Sequence, residues 1–352
     1  MKTYRLAVAG LGSFTQRVLL PGLLACEQVD VVAAFTRSQV RAAEMGSRYA
    51  ALPLYTDYAR MLDATTPDIV LVGTPNASHV PMTLAAAQRG CDVICEKPLA
   101  PTLHAAEQMV AAAESAAIRT AVNFTFRSIG AARYAKHLLD EERVGRITHV
   151  SLLYLQDIRH GPDRPKVWRM EAETAGAGAL GDVGSHAIDL VRWWCGEFAS
   201  IASHTFTHNA QRDGGAVSND DTAIFLARLV SGLPVTLHVS QAAAGRSNSL
   251  RVEVYGEAGS LIFTTERGAE PTVQVASPGE IGFTQLPLPD EFTVAYEAFP
   301  AYHAGRLVGT ILGTDFVADF ADGLAAQRVI AAVQRAAADN DWVALPHAEG
   351  SP

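Results

Sequence analysis

Five short, almost wholly apolar runs in the first 125 residues (RLAVAGLG, VDVVAAFTR, DIVLVGTPN, CDVICEKP and RTAVNFTF) are separated by helix-like segments such as TQRVLLPGLLACE and LHAAEQMVAAAESAA. A strand that is apolar at consecutive positions is buried on both faces, and in an alternating β–α sequence the covering layers are the helices themselves. The predicted unit, over residues 1–125, is an α/β domain with a doubly wound parallel sheet. Pro21, inside the first helical segment, predicts a kink or a short break there.

From about residue 148 the rhythm changes. ITHVSLLYLQD, SIASHTFTH, TAIFLARLV, LPVTLHVSQ, SLRVEVYG, GSLIFTTE and PTVQVAS are strand-like and mostly lack helices between them. Gly256 and Gly259 in VYGEAGSLIF mark a hairpin with a loop of a few residues. Residues 126–352 are therefore expected to form a second α/β domain around an open, mostly antiparallel sheet. One strongly apolar helix, 180–194, follows its first strand, and FVADFADGLAAQRVIAAVQRAAAD reads as a long amphipathic helix. The tail, 347–352, reads as frayed.

A length of 352 residues with 49% hydrophobic side chains suits two cored domains. The formal charge of −9 argues against nucleic acid or an anionic membrane as partner, since both select basic patches. No apolar run reaches the ~18 residues of a membrane-spanning helix, and MKTYRLAVAGLG reads as a first strand instead of a signal peptide. Cys26, Cys91, Cys95 and Cys195 have neither redox-pair nor zinc spacing, so buried free thiols and a cytoplasmic location are expected.

Gly10-Leu11-Gly12-Ser13-Phe14-Thr15 closes the first run and opens the first helix. It matches the dinucleotide-binding fingerprint at two glycines, with Thr15 where a further glycine or alanine is usual. The glycines let the backbone turn tightly and approach a pyrophosphate seated on the helix N-terminus. Thr15 predicts a slightly looser helix–strand contact. At the end of the second strand an NAD enzyme usually carries an acid for the adenosine ribose, whereas this chain has Thr36 and Arg37. An arginine pairs with a 2′-phosphate and stacks on adenine, so NADP is the expected cofactor and NAD the other candidate.

The turn GTPNASH, residues 73–79, falls at the carboxyl edge of the sheet, where open α/β folds bind ligands, and Ser78 is placed to cap the next helix. The stretch CDVICEKPLAPT projects Glu96 and Lys97 from the same edge and stops at Pro98. Lys97 is there within reach of a nicotinamide and a substrate oxygen. A surface lysine with its stem laid on apolar neighbours is the plainer alternative. Pro98 argues for a fixed turn with a cis Lys97–Pro98 bond.

In GAGALGDVGSHAIDLVRWWCG, Asp182, His186 and Asp189 are spaced i, i+4, i+7, which puts them on one helical face. Two acids and a histidine on an apolar helix are costly to bury unless used. A lone Asp-x3-His without a second histidine or cysteine nearby does not make a metal site. A histidine acting on a hydroxyl proton, oriented by a carboxylate, fits the pattern.

In this order GLGSFT, GTPNASH, EKPL, NFTFR, KVWR, GDVGSHAIDL and DFADGLAAQRVIAAV resemble the glucose–fructose oxidoreductase / inositol dehydrogenase / MocA family across nearly the whole chain. The resemblance implies a Rossmann domain followed by an open, mostly antiparallel α/β domain whose sheet often forms the oligomer interface, hence a homodimer or homotetramer. It implies hydride transfer between NAD(P) and a small sugar, cyclitol or related diol. It places Lys97, Asp182 and His186 at the reacting centre, with the proton acceptor open between Lys97 and His186. Around the cofactor it puts Gly10, Gly12, Ser13, Phe14, Thr36, Arg37, Thr74, Asn76, His79, Glu96 and Asn123, with Trp168 and Arg169 lining the same site. Ala177 in GAGAL departs from the glycine common in relatives. An NAD-dependent glycoside hydrolase and a non-catalytic nucleotide-binding regulator fit the same resemblance; the intact Lys97, Asp182 and His186 count against the regulator.

Overall fold

In the computed structural model, which describes residues 2–346, the first apolar runs become parallel strands. They are β1 (Tyr4–Ala9), β2 (Val29–Phe35), β3 (Leu54–Tyr55), β4 (Ile69–Val72), β5 (Asp92–Cys95) and β6 (Thr120–Val122). Their order is β3-β2-β1-β4-β5-β6 with every pair parallel. The order reverses between β1 and β4, the switch point at which doubly wound sheets bind ligands. β4 and β5 are buried along their whole length, which is why their runs are unbroken by polar residues except Asp92. Asp92 is neutralised by Arg119, whose guanidinium approaches to 2.6 Å. β3 spans two residues and leaves no apolar run to read.

The connecting helices are α1 (Leu20–Leu24), α2 (Gln39–Arg48), α3 (Tyr58–Thr65), α4 (His79–Ala87) and α5 (Leu103–Ser115). A π-helical turn over Thr15–Leu19 leads into α1, so the irregularity predicted at Pro21 falls in the turn before it. In a regular helix the proline ring would press on the carbonyl of Arg17. Ser38, Asp57 and Thr102 cap α2, α3 and α5 through their side chains. Ser78 makes no such bond to α4; it closes the short turn Asn76–Ser78 and already has helical backbone angles, so its side chain is not set as a cap.

The later strands are β7 (Ile147–Leu155), β8 (Phe198–Phe206), β9 (Gln211–Arg212), β10 (Gly215–Ala216), β11 (Thr222–Leu229) and β12 (Pro234–Ser240). β13 (Ser249–Gly256), β14 (Ser260–Thr265), β15 (Thr272–Ala276), β16 (Thr284–Leu286) and β17 (Val343–Ala344) follow. β9 and β10 pair as a ribbon, and the rest form one sheet ordered β16-β15-β14-β13-β7-β12-β11-β8-β17. Among the described residues only the β7–β12 pairing in that sheet is parallel. Gly256 N–H donates to Gly259 O at 2.8 Å to close the expected hairpin. On β11, Phe225, Ala227 and Leu229 are buried while Ile224, Leu226 and Arg228 are exposed, so one face is covered and the other bare. The covering helices include α6 (Gly130–Asp140) and α7 (Ser185–Cys195), with Trp194 edge-on to Phe263 at 5.7 Å.

After β16 the chain forms α8 (Phe299–Leu312) and α9 (Phe320–Asp339). The compact units are Met1–Ser128 with Val294–Ala325, and Ile129–Thr293 with Ala326–Pro352. The division read from the sequence, 1–125 and 126–352, gives the whole C-terminal part to the second domain, whereas 294–325 folds into the first unit. Backbone contacts are among those that tie it there. A Cβ on Gly22 would stand 2.1 Å from Pro300 O, so α8 lies against α1 only because that position is glycine. Val122 N–H donates to Ala318 O at 2.8 Å, covering the edge of β6. All four cysteines are free thiols, Cys91 and Cys95 buried and the other two half-buried. Among the described residues no helix is long and apolar enough to cross a membrane. The tail expected to fray, 347–352, lies outside the described residues.

Candidate active site

In the first unit the residue just past each strand but β3 hydrogen-bonds to the neighbouring strand or its end. Thr36 N–H donates to Tyr55 O (3.0 Å), Gly10 to Phe35 O (2.9 Å) and Gly73 to Ala9 O (2.7 Å). Glu96 donates to Val72 O and Asn123 to Cys95 O, both at 2.9 Å. Thr36, Gly10, Gly73, Glu96 and Asn123 thus stand in strand order along one carboxyl edge. All but Gly73 are residues that the family resemblance assigns to the cofactor. Lys97 follows Glu96, half-buried, and the Lys97–Pro98 bond is cis, as the sequence suggests.

The centre of that edge is a backbone cradle. Gly10 has φ +102°, and a Cβ there would lie 2.5 Å from Gly73 O. Glycine is required on both counts. A Cβ on Gly73 would lie 2.8 Å from Thr15 Oγ1. Thr15 is buried, and its contact is close instead of loose because position 73 has no side chain. Leu11 O accepts from Gln16 Nε2 (2.7 Å) and Arg41 Nη1 (3.1 Å), which fixes the loop from two sides. Past Gly12 the helix opens with Ser13 exposed and Phe14 half-buried. A pyrophosphate fits here, since it needs side-chain-free approach and first-turn N–H groups, which no helix satisfies internally. Arg37 is exposed, while Thr36 is buried with its hydroxyl 3.5 Å from Ser38 N.

Two histidines hold this edge from beneath. His79 is fully buried, its ring nitrogens facing Leu99 O (3.1 Å) and Thr74 O (3.0 Å). It stands between the turn after β4 and the turn after β5, and a neutral ring donates to one of the two carbonyls at a time. Burial pushes its pKa below the usual histidine range. Thr74 Oγ1 lies 3.5 Å from Met82 Sδ, and Asn76 is buried. The other histidine, His303 on α8, joins Asn123 Oδ1 through Nε2 (2.7 Å) and Ser128 Oγ through Nδ1 (2.8 Å). Asn123 Nδ2 donates to Glu96 Oε1 at 2.6 Å.

In the second unit Asp182 lies in a π-helical turn, Leu180–Gly184, that runs into α7. The single regular helix predicted over 180–194 therefore begins with a widened turn, which alters the i, i+4 spacing at Asp182. Asp182 Oδ2 accepts from Gln241 Nε2 at 2.8 Å, and Gln241 is wholly buried. His186 and Asp189 are buried on α7. Asp220 anchors the approach to this turn: its carboxylate accepts from Gly178 N and Leu180 N, each at 2.7 Å. Burial raises its pKa, while those amides and the Arg159 guanidinium pull it down. A Cβ on Gly178 would sit 1.8 Å from Asp220 O and Gly176 has φ +75°, so both glycines of GAGAL are required, and Ala177 is simply buried. Arg159 Nη2 donates to Arg169 O at 2.6 Å, fixing the turn on which Arg169 stacks 4.4 Å from the Trp168 ring.

Residues 4–124 match the oxidoreductase family with an NAD-binding Rossmann fold, and residues 132–262 match the GFO/IDH/MocA C-terminal domain. Levoglucosan dehydrogenase of Pseudarthrobacter phenanthrenivorans is 30% identical over 87% of each chain. The chain belongs to the GFO/IDH/MocA family. Another relative, the 1,5-anhydro-D-fructose reductase of Ensifer adhaerens, is 29% identical over 87% of this chain and 90% of its own. A solved levoglucosan dehydrogenase in complex with NADH and L-sorbose superposes with a TM-score of 0.90 at 27% identity, covering 99% of this chain and 100% of that one. The protein is accordingly an oxidoreductase of an NAD-binding GFO/IDH/MocA type.

Within that family frame, several functional positions escape sequence reading. Gln16 and Arg41 hold the glycine loop from neighbouring helices, and a polar residue on an amphipathic helix carries no mark of such a task. Gln241 and His303 meet their polar partners only through the fold, on segments far away in the chain. Asn219-Asp220-Asp221 at the entry to β11 is the one signal that was available: two consecutive acids beside an apolar strand are costly unless paired.

Proposed function

We propose that the protein is a dehydrogenase that exchanges a hydride between NADP and a CH–OH group of a sugar, cyclitol or related diol. The observation that supports this best is the Gly10–Gly73 cradle at the switch point, with Glu96 and Lys97 leaving the same edge. Gly10 to Phe14 hold the pyrophosphate; Thr36 and Arg37 hold the adenosine end; Glu96 and Asn123 serve the nicotinamide half, across the switch point. When bound, the cofactor supplies the hydride acceptor or donor. Lys97 donates a hydrogen bond to the reacting oxygen, His186 exchanges the hydroxyl proton, and Asp182 orients the imidazole. Trp168 and Arg169 line the site. A spectrophotometric screen of sugars, cyclitols and diols with NAD and NADP tests the reading; no turnover with any of them would count against it.

Cofactor choice has its own test. Arg37 has no acid beside it in the turn Thr36-Arg37-Ser38, and a 2′-phosphate would give its exposed guanidinium a partner. NADP is expected to bind more tightly than NAD, and Arg37→Asp to reverse the order. Titration showing NAD at least as tight in the unmodified protein would sink this assignment.

Assembly follows from the bare face of the larger sheet. Ile224 and Leu226 are 44% and 52% exposed, and Phe206 on β8 stands beside them at 36%. A contiguous apolar patch on a sheet marks an interface. We expect a homodimer or homotetramer through residues of about 148 to 280, weakened by Leu226→Lys. Sedimentation as a monomer at micromolar concentration would contradict it.

A further inference from the structure

The hydrogen bonds around His303 have only one consistent direction. A carboxylate accepts and does not donate, so Asn123 turns its NH2 to Glu96 Oε1 (2.6 Å) and its carbonyl to His303 (2.7 Å). His303 Nε2 must then carry the proton, and Nδ1 must accept from the Ser128 hydroxyl at 2.8 Å. Thr125 Oγ1 adds a second donor to Asn123 Oδ1 at 3.2 Å. The imidazole stacks on Phe299, ring centroids 5.4 Å apart and planes within 7°, which fixes its plane as well. Ser128, His303 and Asn123 are at most 1% exposed, and Glu96 is the half-buried member where the chain comes out. It comes out at the end of β5, on the far side of the switch point from the adenosine-binding edge of β2.

We propose that His303 is a positioning residue for the nicotinamide half of the cofactor: through Asn123 it holds the Glu96 carboxylate in one orientation, ready to accept from the ribose hydroxyls there. The proposal rests on the dinucleotide reading above. The alternative is that His303 merely completes a buried polar cluster, and the two differ in what a substitution does to each half of the cofactor. His303→Leu removes the donor to Asn123. A glutamine at 303 places its amide nitrogen near the Nε2 position and keeps that donor; an asparagine reaches only the Nδ1 position and does not.

The test titrates unmodified protein and the three variants with NADPH and NADH, and with adenosine 2′,5′-bisphosphate and ADP as probes of the adenosine half alone. A hydrogen bond that orients a charged group is worth enough for His303→Leu to weaken both dinucleotides by at least about tenfold, with the adenosine probes within about twofold. His303→Gln should recover most of the loss and His303→Asn should not. Unchanged dinucleotide affinity in His303→Leu, equal losses for dinucleotides and adenosine probes, or identical behaviour of the glutamine and asparagine variants would each overturn the proposal. If the leucine variant does not fold, the glutamine and asparagine pair decides alone. Failure of the dinucleotide reading itself shows separately, as unmodified protein that binds none of the four ligands.

Discussion

Lys97→Ala and His186→Ala should each lose at least about a hundredfold in turnover, the lower end of what general acid–base groups contribute. A group that acts mainly in the transition state lowers turnover while leaving ground-state binding nearly intact. Dinucleotide affinity should therefore stay within a few-fold in both variants, because the site proposed for the pyrophosphate is the Gly10–Phe14 loop, whose geometry rests on Gly73, Gln16 and Arg41. Asp182→Asn should fall less. An asparagine oxygen can still accept from Gln241 Nε2, which lies 2.8 Å from the carboxylate, so the turn keeps its shape while the charge proposed to orient the imidazole is lost. Single-turnover hydride transfer with a confirmed substrate is the deciding measurement. Near-normal rates in Lys97→Ala would leave the lysine a structural strand-end residue.

Acid should destabilise the first unit more steeply than its carboxylates alone would. Burial pushes the His303 pKa from 6.5 down to about 3, with the nearby Arg306 guanidinium acting in the same direction. In the unfolded chain the imidazole titrates at its ordinary value. Between those two values the unfolded state binds the extra proton, so stability rises with pH across the window and falls as pH is lowered through it. The slope for one such group is about 1.4 kcal/mol per pH unit, giving a loss of about 2–3 kcal/mol on going from neutrality to a pH near 4.5. His79, lowered by burial in the same way, adds to it. Urea unfolding of the unmodified protein and of His303→Gln at several pH values separates the contribution. The variant should lose less stability on acidification, and parallel curves would show that His303 is not titrating on unfolding.

Much of this architecture is legible in the sequence because its causes are local. β4 and β5 read as buried strands since every position in them must be apolar or paired. Gly10 and the Glu96-Lys97-Pro98 turn read correctly because backbone conformation and strand position set those residues. What is not legible is whatever depends on a distant partner. Thr15 suggests a loose contact until Gly73, some sixty residues on, is seen to vacate the space. Ser78 suggests a cap until its own turn is seen to be helical already. The π-helical turns at Thr15–Leu19 and Leu180–Gly184 shift side chains off the faces that a regular 3.6-residue period assigns. His303 meets Asn123 across 180 positions, and no periodicity or spacing announces such a meeting.

The return of residues 294–325 to the first unit bears on the order in which the protein is made. A nascent chain that has just released Ser128 from the ribosome already carries all six parallel strands. It still lacks the carbonyl of Ala318 for Val122, the backbone of Pro300 that fills the notch at Gly22, and the imidazole that Asn123 and Ser128 enclose. Those parts emerge only after the 165 residues of the intervening segment, Ile129–Thr293, have been synthesised. The nucleotide-binding half begins first and is finished late, so the floor beneath Glu96 is laid only as the last quarter of the protein is translated.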